Sequence, residues 1–262
     1  MTASLIPPIV DFRAELPAAQ SRAPQSGRRR RQTDSDRTPT QNKVLAALPG
    51  KDFESVVAGC EPVTLAFGDI LYEPGDTMRH VYFPCDSLVS LLTLVDNHLA
   101  LEVGMVGREG MVGIPLALGV DASPFRALVQ GAGTALRMKA ATFRRELRHS
   151  LPLQNAINRY TYGLMSQISQ TAACNRFHMV PERLARWLLM TRDRVGSNHF
   201  QLTQEFLSHM LGVRRVGVTK AAGQLQKRNL IEYSRGNIRI IDLEGLEDAS
   251  CSCYQVAKFP IT

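Results

Sequence analysis

The segment from Thr203 to Ile241 restricts the fold more than any other part of the chain. Thr203 is a good helix N-cap, and Glu205 in the first turn suits the helix dipole. Phe206, Leu207, Met210 and Leu211 recur on one face. Gly212 should stop this helix, because only glycine adopts the left-handed turn cheaply. A second helix is predicted from about Arg214 to Arg228, burying Val218, Ala221, Ala222 and Leu225. Leu230 to Tyr233, the turn Ser234-Arg235-Gly236-Asn237 and Ile238 to Ile241 then read as a β-hairpin.

Two short helices around a glycine turn, the second of them basic, make a helix-turn-helix, and the hairpin supplies a wing. An α-helix fits the major groove of duplex DNA, and the N-terminal residues of the second helix reach base edges. Arg214 and Arg215 stand there, and arginine pairs bidentately with guanine. Thr219 and Lys220 follow within two turns. Gly217 costs roughly 1 kcal/mol against alanine inside a helix, so its presence suggests a close backbone approach, to DNA or to the first helix. Arg235 and Arg239 on the wing suit phosphate contacts.

Charge follows the same division. The chain carries a formal net charge of +7. From Pro181 to Asp242 there are 11 basic and five acidic residues, whereas Val44 to Val180 is nearly balanced, with 11 and 12. A compact basic C-terminal unit is the electrostatic footprint of a nucleic-acid binder.

With 262 residues, the chain is long enough for two domains. Residues 1–42 are expected to be a disordered basic tail, rich in Pro, Ala, Ser and Gln and containing the run Arg28 to Arg31. Residues 43–148 read as a β-roll, with short apolar runs at Val63–Phe67, Ile70–Tyr72, His80–Phe83, Leu88–Val95, His98–Val106, Ala127–Val129 and Thr134–Met138, separated by Gly, Pro and Asp turns. Residues 149–180 switch to helical period: Leu153, Ile157, Tyr160, Leu164, Ile168 and Ala172 form one stripe on a helix of about seven turns. That stripe packs either on its own β domain or on a second copy across a two-fold axis. Residues 181–245 form the winged unit, opened by a helix carrying Leu184, Trp187, Leu188 and Leu189, and residues 246–262 are left as a tail. The fold class is therefore α+β: an N-terminal jelly-roll-like β-roll, a long dimerisation helix and a C-terminal winged helix-turn-helix.

These features resemble the Crp/Fnr family of bacterial transcription regulators over about residues 43–245, most specifically in the stretch LTQEFLSHMLGVRRVGVTKAAGQLQKRNLI. The resemblance implies an N-terminal β-roll of the cyclic-nucleotide-binding type. It implies that Thr203 contacts phosphate and Arg215 reads a base. Lys220 falls where the family often has a base-reading arginine, and Val216 where many members carry a glutamate that accepts from cytosine. Arg214 falls on the usual Ser/Thr cap position. The partners implied are duplex DNA, a second copy of the chain and RNA polymerase, with no membrane.

In nucleotide-binding members of that family, a Gly-Glu pair holds the ribose and an Arg-Ser pair some ten residues later holds the cyclic phosphate. Here the stretch Gly107 to Gly113 offers Glu109 for the ribose. The next arginine in reach is Arg126, 17 positions on and followed by Ala127. The spacing is too long and the hydroxyl is missing, so the effector is expected to be something other than cyclic AMP and is left unidentified.

Five cysteines, an odd number, argue against a disulfide scaffold. Cys174 and His178 are four apart on one helix face, and Cys251-Ser252-Cys253 is a lone Cys-x-Cys. A structural metal site usually needs four ligands in paired spacings, so these are read as packing residues, no metal ligand is expected and the cofactor stays unknown. A metal-binding jelly-roll enzyme would need clustered His and carboxylate ligands, and His80 and His98 are isolated. No catalytic residues are expected. A cyclic-nucleotide-responsive signalling protein is the alternative that keeps the same β-roll. The N-terminus lacks a basic stretch followed by an apolar one, so a cytoplasmic location is expected.

Overall fold

A computed structural model describes residues 41–95 and 99–257. The Arg28 to Arg31 run, His98 and the final residues of the expected tail lie outside that range. The described residues fall into two compact units, 41–89 with 105–165, and 90–104 with 166–257. The cut passes through one β-hairpin and through the long helix.

The first unit opens with α1 (Lys43–Ala46) and α2 (Gly50–Ala58). Asn42, placed in the tail from sequence, is fully buried. Its carboxamide oxygen accepts from the backbone N–H groups of Val44 and Leu45 at 3.1 and 3.2 Å. Its nitrogen donates to the carbonyls of Pro84 and Gly110 at 2.9 and 2.8 Å. A capped helix start anchored at two further points makes Asn42 part of the folded unit.

The strands are β1 (Cys60–Leu65), β2 (Ile70–Tyr72), β3 (His80–Pro84), β4 (Leu88–Val95), β5 (Leu99–Val106), β6 (Arg126–Gly131) and β7 (Gly133–Lys139). One sheet has the order β1-β7-β3 and the other β2-β6-β4-β5. Strand β7 pairs antiparallel with both neighbours, placing Val63 opposite Ala135 and Phe83 opposite Leu136. The first five residues of β4 are buried on both faces, which explains its unbroken apolar run.

Three helices break the β-rich series: α1 and α2 before it, and α3 (Ile114–Ala117) within it. Helix α4 (Ala140–His149) follows the last strand. It buries only Phe143, and so carries no apolar stripe for a sequence to display.

Helix α5 (Leu151–Phe177) runs for 27 residues. Leu153, Ile157, Tyr160 and Leu164 are buried by the chain itself, while Ala172 at the far end of the predicted stripe is exposed. Gly110 lies so close to Tyr160 that a Cβ there would clash with the edge of the phenol ring.

The second unit contains α6 (Val180–Val195), β8 (His199–Gln201), α7 (Gln204–Leu211), α8 (Arg215–Lys227), β9 (Ile231–Ser234) and β10 (Asn237–Ile240), with the small sheet ordered β8-β10-β9. The segment expected to be a tail is folded as α9 (Leu243–Ala249) and α10 (Cys253–Ala257). Leu246 and Tyr254 are buried, and the Tyr254 hydroxyl donates to Asp193 at 2.8 Å. Arg183 of α6 reaches back to Asn175 of α5 at 2.7 Å and also donates to the Leu211 carbonyl, which closes the last turn of α7. Among the described residues, no helix is long and apolar enough to cross a membrane.

Candidate nucleic-acid interface

Thr203 caps α7, its hydroxyl oxygen accepting from the Phe206 N–H at 3.0 Å. Gly212 ends α7 at φ +59°, a left-handed conformation that favours glycine. The turn delivers Arg214 as the N-cap residue of α8, with no side-chain cap bond.

Helix α8 buries the four residues expected from its periodicity, Val218, Ala221, Ala222 and Leu225. That registers its other side to solvent. Arg214, Arg215, Val216, Thr219 and Lys220 are all exposed, as are Lys227 and Arg228 at the far end. Burial pushes the Tyr233 phenol up to about 12, against the opposing charge of Arg215. Tyr233 in turn donates to the Leu202 carbonyl at 2.9 Å, fixing the wing against the start of α7.

Two residues grouped with the arginines differ in role. The Thr219 hydroxyl lies 2.6 Å from Gln204 Oε1 and 3.1 Å from the Arg215 carbonyl. It has one proton to give, and gives it inside the motif, locking α8 to the start of α7. Gly217 has room: a Cβ would meet Val213 at an ordinary 3.7 Å. Packing against the first helix therefore does not require it.

The wing turns through Arg235 and Gly236, at φ +50° and +80°, both left-handed as a two-residue hairpin turn requires. Arg235 is exposed at the tip. Arg239 is different. It forms two bonds to Glu232 across the hairpin, at 3.0 and 3.1 Å, so its charge is neutralised within the wing.

The two residues singled out in the β-roll are both buried. Glu109 accepts from the Gly107 N–H at 3.1 Å, closing its own turn. Arg126 on β6 is ion-paired with Glu73 at 2.9 Å.

Residues 182–249 match the family model of the Crp-like helix-turn-helix domain. The chain carries a Crp-like helix-turn-helix domain. Solved structures agree over more of the chain. The global regulator CLP of Xanthomonas campestris, described as c-di-GMP responsive, is 16% identical, with a TM-score of 0.62 over 73% of this chain and 99% of that one. FixK2 of Bradyrhizobium japonicum is 13% identical, with a TM-score of 0.63 over 74% and 98%. TTHB099, a CRP-family transcriptional regulator of Thermus thermophilus, is 18% identical, with a TM-score of 0.60 over 72% and 96%. At these identities the likeness is one of fold: β-roll, long helix and winged domain, as in the Crp/Fnr regulators. No curated protein matches the sequence.

Just beyond the Crp-like domain, sequence and structure part. No metal ligand is expected from spacing, yet the ligand atoms of Cys174, His178, Cys251 and Cys253 lie within 4.8 Å of one another. Helix α5 supplies the first two residues and the folded C-terminal segment the others, which no local spacing rule connects.

Proposed function

We propose that this chain is a transcriptional regulator that binds an inverted-repeat operator as a homodimer through its winged helix-turn-helix, acting in the cytoplasm together with RNA polymerase. The observation that carries the reading is the solvent-facing start of α8. Arg214, Arg215 and Lys220 are exposed there, while the opposite face is fully buried. A basic helix end held rigidly by its inner face and flanked by the exposed Arg235 matches the docking requirements of a major-groove reader. Arg215 is assigned to base edges, with Lys220 and Arg214 in support. Thr203 and Arg235 are assigned to phosphates. Thr219 positions the helix.

The dimer contact is assigned to the outer face of α5. Leu151, Asn155, Asn158, Tyr162, Met165, Ser169, Ala172 and Arg176 are exposed and recur at alternating steps of four and three, the spacing of a two-helix seam. Tyr162 is 77% exposed and Met165 63%. Large apolar side chains in such a row call for a partner.

The β-roll is assigned a sensory role toward a signal other than cyclic AMP, because Arg126 is already paired with Glu73 and is followed by Ala127. A regulator is favoured over an enzyme because the cationic helix is the feature this geometry explains. Selection of bound duplexes from a random pool tests the reading: recovery of an inverted repeat supports it, and recovery of no shared sequence refutes it.

A further inference from the structure

We propose that Cys174, His178, Cys251 and Cys253 form a binding site for a single divalent metal ion of zinc's kind, which fastens the C-terminal segment to the end of α5. The four donors come from two distant segments, the end of α5 and the stretch around the start of α10. Cys174 Sγ lies 3.5 Å from Cys251 Sγ, and Cys253 Sγ lies 3.4 Å from His178 Nδ1. A tetrahedral ion with bonds of about 2.3 Å to sulfur sets its sulfurs about 3.8 Å apart, while a disulfide needs about 2 Å. The observed separations lie near the edges of a tetrahedron around one ion, and the cluster is too tight to surround a polynuclear iron-sulfur core.

The donor chemistry selects the metal. Three thiols and an imidazole are the ligands of a structural zinc site, whereas magnesium and calcium take oxygen. The local backbone presents them well. The His178 N–H still donates to the Cys174 carbonyl at 3.1 Å, so the helical register that puts both side chains on one face persists to His178. All three cysteines are buried and His178 is half-buried. The three sulfurs make a buried cluster of their own, so packing of larger apolar side chains does not account for their convergence.

Charge gives an independent observation. Three thiolates around a divalent ion leave a net charge of −1. Arg186 of α6 is buried, and its Nε and Nη1 atoms have no hydrogen-bond partner. Its Nη2 donates to Thr171 at 3.2 Å. A buried guanidinium with unfilled donors favours negative charge nearby; the Glu102 carboxylate is one source, and a metal–thiolate centre would be a second. Gln170 Nε2 donates to Cys253 Sγ at 2.9 Å, a contact that supports a thiolate.

The site ties together two segments that flank the Crp-like domain. Tyr254, next to Cys253, is bonded to Asp193 of α6, and Asn175, next to Cys174, accepts from Arg183. Metal binding would therefore brace the frame that carries α7 and α8.

The test uses the full chain, purified under reducing conditions, equilibrated with zinc and dialysed. About one zinc per chain is expected, and cobalt(II) in its place should show tetrahedral d–d bands with thiolate charge-transfer absorption. Cys251→Ser and His178→Ala should lose most of the metal, whereas Cys60→Ser, outside the cluster, should keep it. Chelation should lower the melting temperature of the wild type. The proposal is overturned if the reduced wild type binds no more zinc than the triple Cys174→Ser, Cys251→Ser, Cys253→Ser variant. An octahedral cobalt spectrum or an iron-sulfur chromophore also overturns it. The cobalt spectrum is read on the wild type, so misfolding of a variant cannot decide the result, and DNA binding enters neither measurement.

Discussion

The indole N–H of Trp187, the one tryptophan in the chain, donates to the Glu102 carboxylate at 2.8 Å, and the Ser90 hydroxyl donates to its other oxygen at 2.6 Å. Glu102 is buried, and burial pushes its carboxyl up to about 7, against the opposing pull of both hydrogen bonds and of the charges on Arg186 and Arg194. The folded state thus holds this proton more tightly than the unfolded chain, where the value is 4.5. The resulting stability is full below the unfolded value and is lost as pH rises toward 7, with an upper bound of roughly 3 kcal/mol. Glu102→Gln can still accept from Trp187 and donate to Ser90. It should unfold at nearly the same denaturant concentration at about pH 5 and about pH 8, while the wild type weakens over that interval. Parallel profiles for the two proteins would refute the assignment.

On α5 the two faces should respond differently to charge. Tyr162→Glu combined with Met165→Glu should give folded monomers in sedimentation velocity, because these side chains face solvent in the single chain. Ile157→Asp should instead destabilise the fold by several kcal/mol, since Ile157 is 1% exposed and a carboxylate there is left without a partner. Dimers that survive the double substitution would move the interface off this helix.

Gly217→Ala separates folding from DNA contact. The added methyl meets Val213 at 3.7 Å without a clash, so the variant should gain up to about 1 kcal/mol in thermal unfolding. Its DNA affinity should fall, because the glycine then serves the approach of α8 to the duplex. Unchanged affinity would show that Gly217 has no part in recognition.

Cyclic AMP should bind no tighter than millimolar in titration calorimetry. A micromolar affinity that Glu109→Ala abolishes would place the nucleotide in the β-roll after all.

The winged unit was the most legible part of the fold, because each of its elements is bounded by local chemistry. Thr203 starts α7, Gly212 ends it, and the buried face of α8 repeats at the helical period. The strands were legible from their turns. Helix α4 was not, since Phe143 alone is buried. The stripe on α5 was visible, but periodicity cannot say what covers a face: Ile157 and Leu164 are core, and the exposed face of the helix carries Tyr162 and Met165. At the candidate interface, the sequence predicts the basic start of α8, which is exposed, but not the side chains engaged by neighbours, as Thr219 is by Gln204 and Arg239 by Glu232. The cysteine cluster was out of reach because its halves meet only through tertiary folding.

The central claim is that α8 reads bases while the wing holds the backbone, and paired substitutions under pool selection test it most directly. Arg215→Ala should cost roughly 1–3 kcal/mol and relax the preference at one base pair in each half-site, because it removes a bidentate guanine contact. Arg235→Ala should weaken binding evenly across sequences and reduce the salt slope by about one per subunit, as loss of a phosphate contact does. An unchanged sequence preference and affinity for Arg215→Ala would contradict the account.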